Sequence, residues 1–130
     1  WEYRRLDVSR MRAAAAFLVG QHDFNAYRAV ACQSENSIRE LRRLRVGASG
    51  QWIWVDAEAE SFLQHMVRNI VGVLLAVGAG EKEPAWAGEV LNSRDRASGG
   101  ATAPPDGLYF ARVSYPAPYE LPTVPECRFW

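Results

Sequence analysis

The run Phe62-Leu63-Gln64-His65-Met66-Val67-Arg68-Asn69-Ile70-Val71-Gly72-Val73-Leu74-Leu75-Ala76-Val77 restricts the possible folds of this chain more than any other stretch. Wound as a helix it puts apolar residues on nearly every side, the pattern of a buried helix rather than a surface one. Polar Ser61 precedes it, and Gly78 and Gly80 end it. It carries one permanent charge, Arg68, and contains no Asp or Glu. A guanidinium cannot shed its proton to escape burial. Arg68 must therefore reach water, a carboxylate or a phosphate, and any carboxylate must come from outside the run. The plain alternative is an arginine that snorkels to solvent or pairs with a structural acid such as Glu58 or Glu60.

With 130 residues the chain is long enough for one domain with a real core. Its 48% hydrophobic and 12% aromatic content is that of a globular protein, not a disordered one. Ile70 to Ala79, the longest apolar run near the helix, is too short to span a bilayer, so no membrane association is expected. Trp1-Glu2-Tyr3-Arg4-Arg5 is charged at once and does not read as a signal peptide, and the missing initiator Met points to a processed or excised piece. Cys32 and Cys127 are too few and too far apart for a disulfide scaffold or a zinc site. The expectation is a reduced, cytoplasmic protein without a metal.

Formal net charge is zero and the pI is about 6.9, unlike a typical nucleic-acid binder. The charge is uneven, however. Arg39, Arg42, Arg43 and Arg45 lie close together, and 14 of the 15 basic residues are Arg, the side chain suited to bidentate phosphate contact. A solvated basic strand face is the equally plain reading of this cluster.

Taken in order, Asp7 is expected to cap a helix from Val8 to about Val19, ended by Gly20, with Val8, Met11, Ala15 and Leu18 inward. His22 to Arg28 reads as a compact turn or short helix. His22, Asp23 and Cys32 invite a hydrolase reading, but neither an orienting group nor an oxyanion site accompanies them; Asp23 reads better as a turn cap. Ile38 to about Ala48 and Gln51 to about Ala59 read as two strands joined by a turn at Gly47-Ala48-Ser49-Gly50. Trp52 and Trp54 share one face of the second strand, and Ile53, Val55, Ala57 and Ala59 share the other. Both faces can be buried, so that strand is expected to be central. After the long helix, Pro84 opens a helix from Trp86 to about Leu91. Residues 94–105 form a loop, and Leu108 to Tyr115 a last strand. This order predicts an α+β fold: a mainly antiparallel sheet with helices packed on one face.

Several of these segments resemble one family. His22-Asp23-Phe24, Arg28-Ala29-Val30 and Cys32-Gln33-Ser34 resemble the segment after the first helix in the TruA-type tRNA pseudouridine synthases. Phe62 to Gly72, with its Met-Val-Arg-Asn-Ile-Val-Gly run, is similar to that family's long-helix motif. Asp95-Arg96, Ala101-Thr102-Ala103-Pro104, Gly107-Leu108-Tyr109-Phe110 and Tyr119-Glu120-Leu121-Pro122 continue the likeness in consistent order. The resemblance identifies residues 1–122 as the C-terminal half of such an enzyme's catalytic domain, with 123–130 as a tail.

The resemblance implies an enzyme that isomerises uridine to pseudouridine in the tRNA anticodon arm, as a homodimer, with no metal and no organic cofactor. It implies that the nucleophilic aspartate lies in the N-terminal half of the enzyme. None of Asp7, Asp23, Asp56, Asp95 or Asp106 stands in the family's aspartate motif, so no catalytic aspartate is assigned here. Arg68 matches the arginine that pairs with that aspartate, and Leu108 the strand residue lining the uracil pocket. Arg28 and His65 are carried as candidate substrate contacts. The implied partners are tRNA, the N-terminal half and a second copy. Without its other half, the chain is expected to be inactive and to self-associate or expose an apolar face. The competing class is a stand-alone RNA-binding or dimerisation module without catalytic activity.

Overall fold

Asp7 begins the first helix as its sequence position requires. Its carboxylate accepts the backbone N–H groups of Ser9 and Arg10 at 2.9 and 3.3 Å, filling two of the donors that a helix start leaves open. The computed structural model describes residues 2, 4–29 and 36–108. Within them the order is α1 (Val8–Ala16), β1 (Gly20–Asp23), a 3-10 turn (Asn25–Tyr27), β2 (Ile38–Ser49), β3 (Trp52–Ala59), α2 (Met66–Gly78), α3 (Trp86–Ser93) and a second 3-10 turn (Arg96–Ser98).

The sheet is antiparallel throughout, in the order β1-β2-β3, and with three helices it makes the α+β class expected. Strand β1 was read as turn. It has only four residues, and its partners, Ile38 to Leu41, lie across a long connection, so local pattern could not reveal it. Helix α1 stops at Ala16, three residues early, because Phe17 and Leu18 close a tight turn and Gly20 takes φ +111°. Strand β3 corrects another expectation: it lies at an end of the described sheet, and β2 is the central strand.

The imperfect alternation of β2 has a definite cause. Leu41 pairs with Ala59 and Arg43 with Glu58, so Arg42 is an extra, bulged residue. The bulge shifts parity, and Leu41, Leu44 and Val46 all turn into the core. Ile53, Val55, Ala57 and Ala59 pack against the same core. On the opposite face the Trp54 ring lies over Gly47, where a Cβ would come within 2.1 Å of it.

Helix α1 packs on β2 and α2 packs on α1, while α3 closes against α1 and the first 3-10 turn. Arginines of α1 tie these layers through backbone carbonyls. Arg10 Nε donates to Val77 O at 3.0 Å, satisfying an end carbonyl of α2, and Arg12 Nε donates to Val46 O at 2.8 Å.

Helix α2 starts later than the apolar run. Leu63 O already accepts Met66 N–H, Gln64 O accepts Ala29 N–H, and His65 sits in the left-handed region at φ 61°. Residues 62–65 thus lie outside the helix, with Gln64 and His65 forming a turn into it. The buried positions are Met66, Asn69, Ile70, Val73, Leu74, Val77 and Gly78, which form one stripe at helical spacing. Val67, Arg68, Val71, Leu75 and Ala76 are half-buried, so α2 is not sealed on every side by the described residues.

Gly72 is where the loop after α3 touches α2. A Cβ there would meet the backbone oxygen of Ala101 at 1.8 Å. Helix propensity alone would favour alanine by about 1 kcal/mol. We expect Gly72→Ala to destabilise instead, by about 1–3 kcal/mol, because the obstacle is backbone. Chemical denaturation measures this; a gain in stability would contradict the contact.

Candidate functional site

The N-terminal half of α2 and the loop 99–104 are joined by reciprocal bonds. Arg68 Nε donates to Ala103 O at 2.7 Å, and Ala103 N–H donates to Arg68 O at 3.1 Å. The guanidinium of Arg68 is thereby oriented by main chain, while the side chain stays half-buried. Glu58, a candidate structural partner, is bonded to Arg43 instead, at 2.9 Å. Among the described residues Arg68 makes no ion pair.

The next residue, Asn69, turns to the core side of the helix: it is 3% exposed and is the one buried member of the polar and charged residues described. Its amide donates to Tyr27 O at 2.8 Å. Its Oδ1 accepts from Thr102 Oγ1 at 2.6 Å and from Arg96 Nη2 at 3.0 Å. Arg96 also donates to Thr102 Oγ1 at 2.8 Å and to Gly100 O at 3.1 Å. A buried amide needs such partners, and both acceptor positions of this one are filled. Small residues let the loop lie this close: a Cβ on Gly100 would approach the Trp86 ring at 3.3 Å.

The sequence had marked Arg68 but not this network. The available signal was Asn69 itself, a weak helix former set beside a charge in an apolar run. Arg96 and Thr102 were noticed only as parts of a resemblance.

The other candidates fall in different places. His65 is exposed at the start of α2 in its left-handed conformation, uncommon for a residue with a side chain. Arg28 lines a depression of about 290 Å³ together with Asn25, Ala29, Arg94, Asp95 and Arg96. Leu108 is 52% exposed and borders residues 109–130, which lie outside the described residues and include the rest of the expected last strand and the tail; Cys32 also lies outside them.

His22 and Asp23 have structural occupations. His22 Nε2 bonds Val19 O at 2.9 Å, and the ring meets Phe24 edge-on. Asp23 accepts the Ser37 hydroxyl and the Asn25 N–H, and so caps the turn as its position suggested. The arginine cluster of β2 is partly neutralised across the strands. Arg43 lies 3.5 Å from Asp56 and 2.9 Å from Glu58, and Arg45 lies 3.2 Å from Asp56. This strand face is therefore mixed in charge rather than a basic stripe. No group of three or more His, Cys, Asp or Glu suited to a metal occurs among the described residues. No helix among them is long and apolar enough to cross a membrane.

These contacts define an α+β protein that presents an oriented arginine at a helix–loop junction. Comparison with known proteins narrows the class. The profile described as tRNA pseudouridine synthase matches residues 14–116, and the chain belongs to that family. It is 53% identical over 124 residues to tRNA pseudouridine synthase A of Nitrosococcus oceani, covering 95% of this chain and 48% of that protein. The protein of the same name from Alcanivorax borkumensis is 50% identical over 130 residues, covering 100% of this chain and 49% of the relative. That of Pseudomonas aeruginosa is 51% identical over 122 residues, covering 94% and 43%. The chain thus spans about half the length of the curated relatives it matches.

The Ser37 hydroxyl, then the Asn25 N–H and nearby arginines, hold the Asp23 carboxyl below its ordinary value of 3.8. With the folded pKa the lower one, ionised Asp23 contributes stability above the unfolded value, and this is lost as pH falls through the folded value. Asp23→Asn should therefore flatten the loss of stability below about pH 4. Urea melts at pH 7 and at acid pH test this; identical acid sensitivity in both proteins would contradict the role.

Proposed function

We propose that this chain supplies the arginine wall of the active site of a tRNA pseudouridine synthase. The enzyme isomerises uridine to pseudouridine in the anticodon arm of tRNA. Its aspartate comes from the N-terminal half, and it works as a cytoplasmic homodimer with tRNA lying across both subunits. The observation that carries this reading is Arg68: a permanent cation, half-buried, turned by the Ala103 carbonyl, and without an acid among the described residues.

In this reading Arg68 holds the incoming aspartate ionised, since an opposite charge within a few ångströms favours the carboxylate. The aspartate starts cleavage of the glycosidic bond as nucleophile or base. The N1–C1′ bond breaks, the freed uracil turns, and its C5 bonds to C1′; the C5 proton leaves to solvent and N1 takes up a proton, so the product is an isomer and no oxidant or reductant is needed. Arg68 can also orient the carboxylate through paired N–H donors, for which a guanidinium is built and an ammonium is not. Leu108 lines the uracil pocket, and Arg28 and His65 contact the RNA. Residues 1–122 act as one unit.

The experiment is tritium release from unmodified tRNA carrying labelled uridine. Residues 1–130 alone should give no turnover, and adding the N-terminal half should produce it. In the completed enzyme Arg68→Ala should reduce turnover by about 10²- to 10³-fold, as for loss of a preorganised electrostatic contact. Turnover by the chain alone, or an unimpaired Arg68→Ala enzyme, would overturn the proposal.

A further inference from the structure

We infer that Arg96 is a positioning residue for Arg68, acting through Thr102 and Asn69. The two arginines need not touch for this to hold. Arg96 Nη2 binds Thr102 Oγ1 at 2.8 Å and Asn69 Oδ1 at 3.0 Å, and its Nη1 binds Gly100 O at 3.1 Å. One planar guanidinium thus grips two points of the loop and one of the helix. Thr102 closes the triangle by donating its hydroxyl to Asn69 Oδ1 at 2.6 Å.

The next residue along the loop is Ala103, whose carbonyl receives Arg68 Nε at 2.7 Å. Asn69, the helix side of the grip, follows Arg68 directly. The grip and the orienting bond therefore fall on adjacent residues on each side. Ala103 is 8% exposed and its N–H is tied to Arg68 O, so the carbonyl cannot swing without disturbing the loop's seat. What fixes that seat laterally is the Arg96 fork. Polar contacts linked in this way also polarise one another, which strengthens each.

The fork requires Arg chemistry. Lysine presents one ammonium and cannot span three acceptors in a plane. Threonine at position 102 must both accept from Arg96 and donate to Asn69, which serine can do and valine cannot. These distinctions separate a positioning role from bulk packing, because valine fills the site as well as threonine does.

The test follows solvent exchange of the Arg68 Nε–H in chain labelled with ¹⁵N-arginine. Arg96→Lys and Thr102→Val should each speed that exchange by about tenfold or more, as expected when a local protecting bond opens. Thr102→Ser should restore it to within about twofold of the wild type, with backbone amides of α1 and β2 unchanged in every variant. Thr102→Val leaves the Arg96 bonds to Asn69 and Gly100 available, and serves where Arg96→Lys does not fold. Unaltered Arg68 exchange in the folded variants would overturn the inference.

The catalytic consequence rests on the reading of Arg68 given above. In the completed enzyme Arg96→Lys should lower kcat by roughly 10- to 100-fold with KM little changed, as misplacement of a reacting group does. Added to Arg68→Ala it should cost nothing more. An additive loss would overturn action through Arg68. If Arg68→Ala itself leaves turnover intact, the reading of Arg68 fails, and the exchange rates alone decide the positioning role.

Discussion

The arrangement depends on one buried amide. Asn69 faces the core side of α2, where an unsatisfied polar group would cost about 1–3 kcal/mol. Its three partners come from two separate parts of the chain: Tyr27 after β1, and Arg96 and Thr102 in the loop after α3. Meeting that requirement brings the loop onto α2, and once there the loop presents Ala103 to Arg68. Solvation of an inward-facing residue thus sets the direction of its half-exposed neighbour.

The surroundings give this junction stiffness. The hydroxyl of Tyr27 donates to Ala87 O at 2.9 Å, linking the first 3-10 turn to α3, and burial pushes its pKa upward. Ala29 N–H reaches Gln64 O at 2.9 Å, fixing the turn that leads into α2. Arg10 holds the far end of the same helix through Val77. By contrast, the ion pairs on β2 and β3 are surface pairs, worth about 0–1 kcal/mol each. They reduce the net charge of that strand face more than they hold the sheet together.

Much of the fold was legible because it rests on local chemistry. Asp7 announces α1 by capping, the alternation of Trp52 to Ala59 announces β3, and Pro84 announces α3. What escaped sequence reading depends on distant partners or on single dihedral angles. Strand β1 exists only through Ile38 to Leu41. Arg42 is a bulge only in relation to Ala59 and Glu58. His65 adopts a left-handed conformation that no periodicity reveals, and so an apolar run beginning at Phe62 yields a helix beginning at Met66. The site divides the same way. Arg68 stands out as the one charge in its run, whereas Asn69, Arg96 and Thr102 gain meaning only when the loop folds back. An inference from apolar pattern to full burial also overreached, since one side of α2 is only half covered by the described residues.

In the proposed enzyme the Arg68 guanidinium, already aimed by its own chain, receives a carboxylate from the N-terminal half. The most direct measurement is the ¹⁵N spectrum of the Arg68 Nη groups as that half is titrated in. The expected result is downfield-shifted Nη–H signals with slowed rotation of the guanidinium, both lost when the aspartate of the N-terminal half is changed to alanine. Formation of a stable complex with the Nη signals unmoved would contradict it.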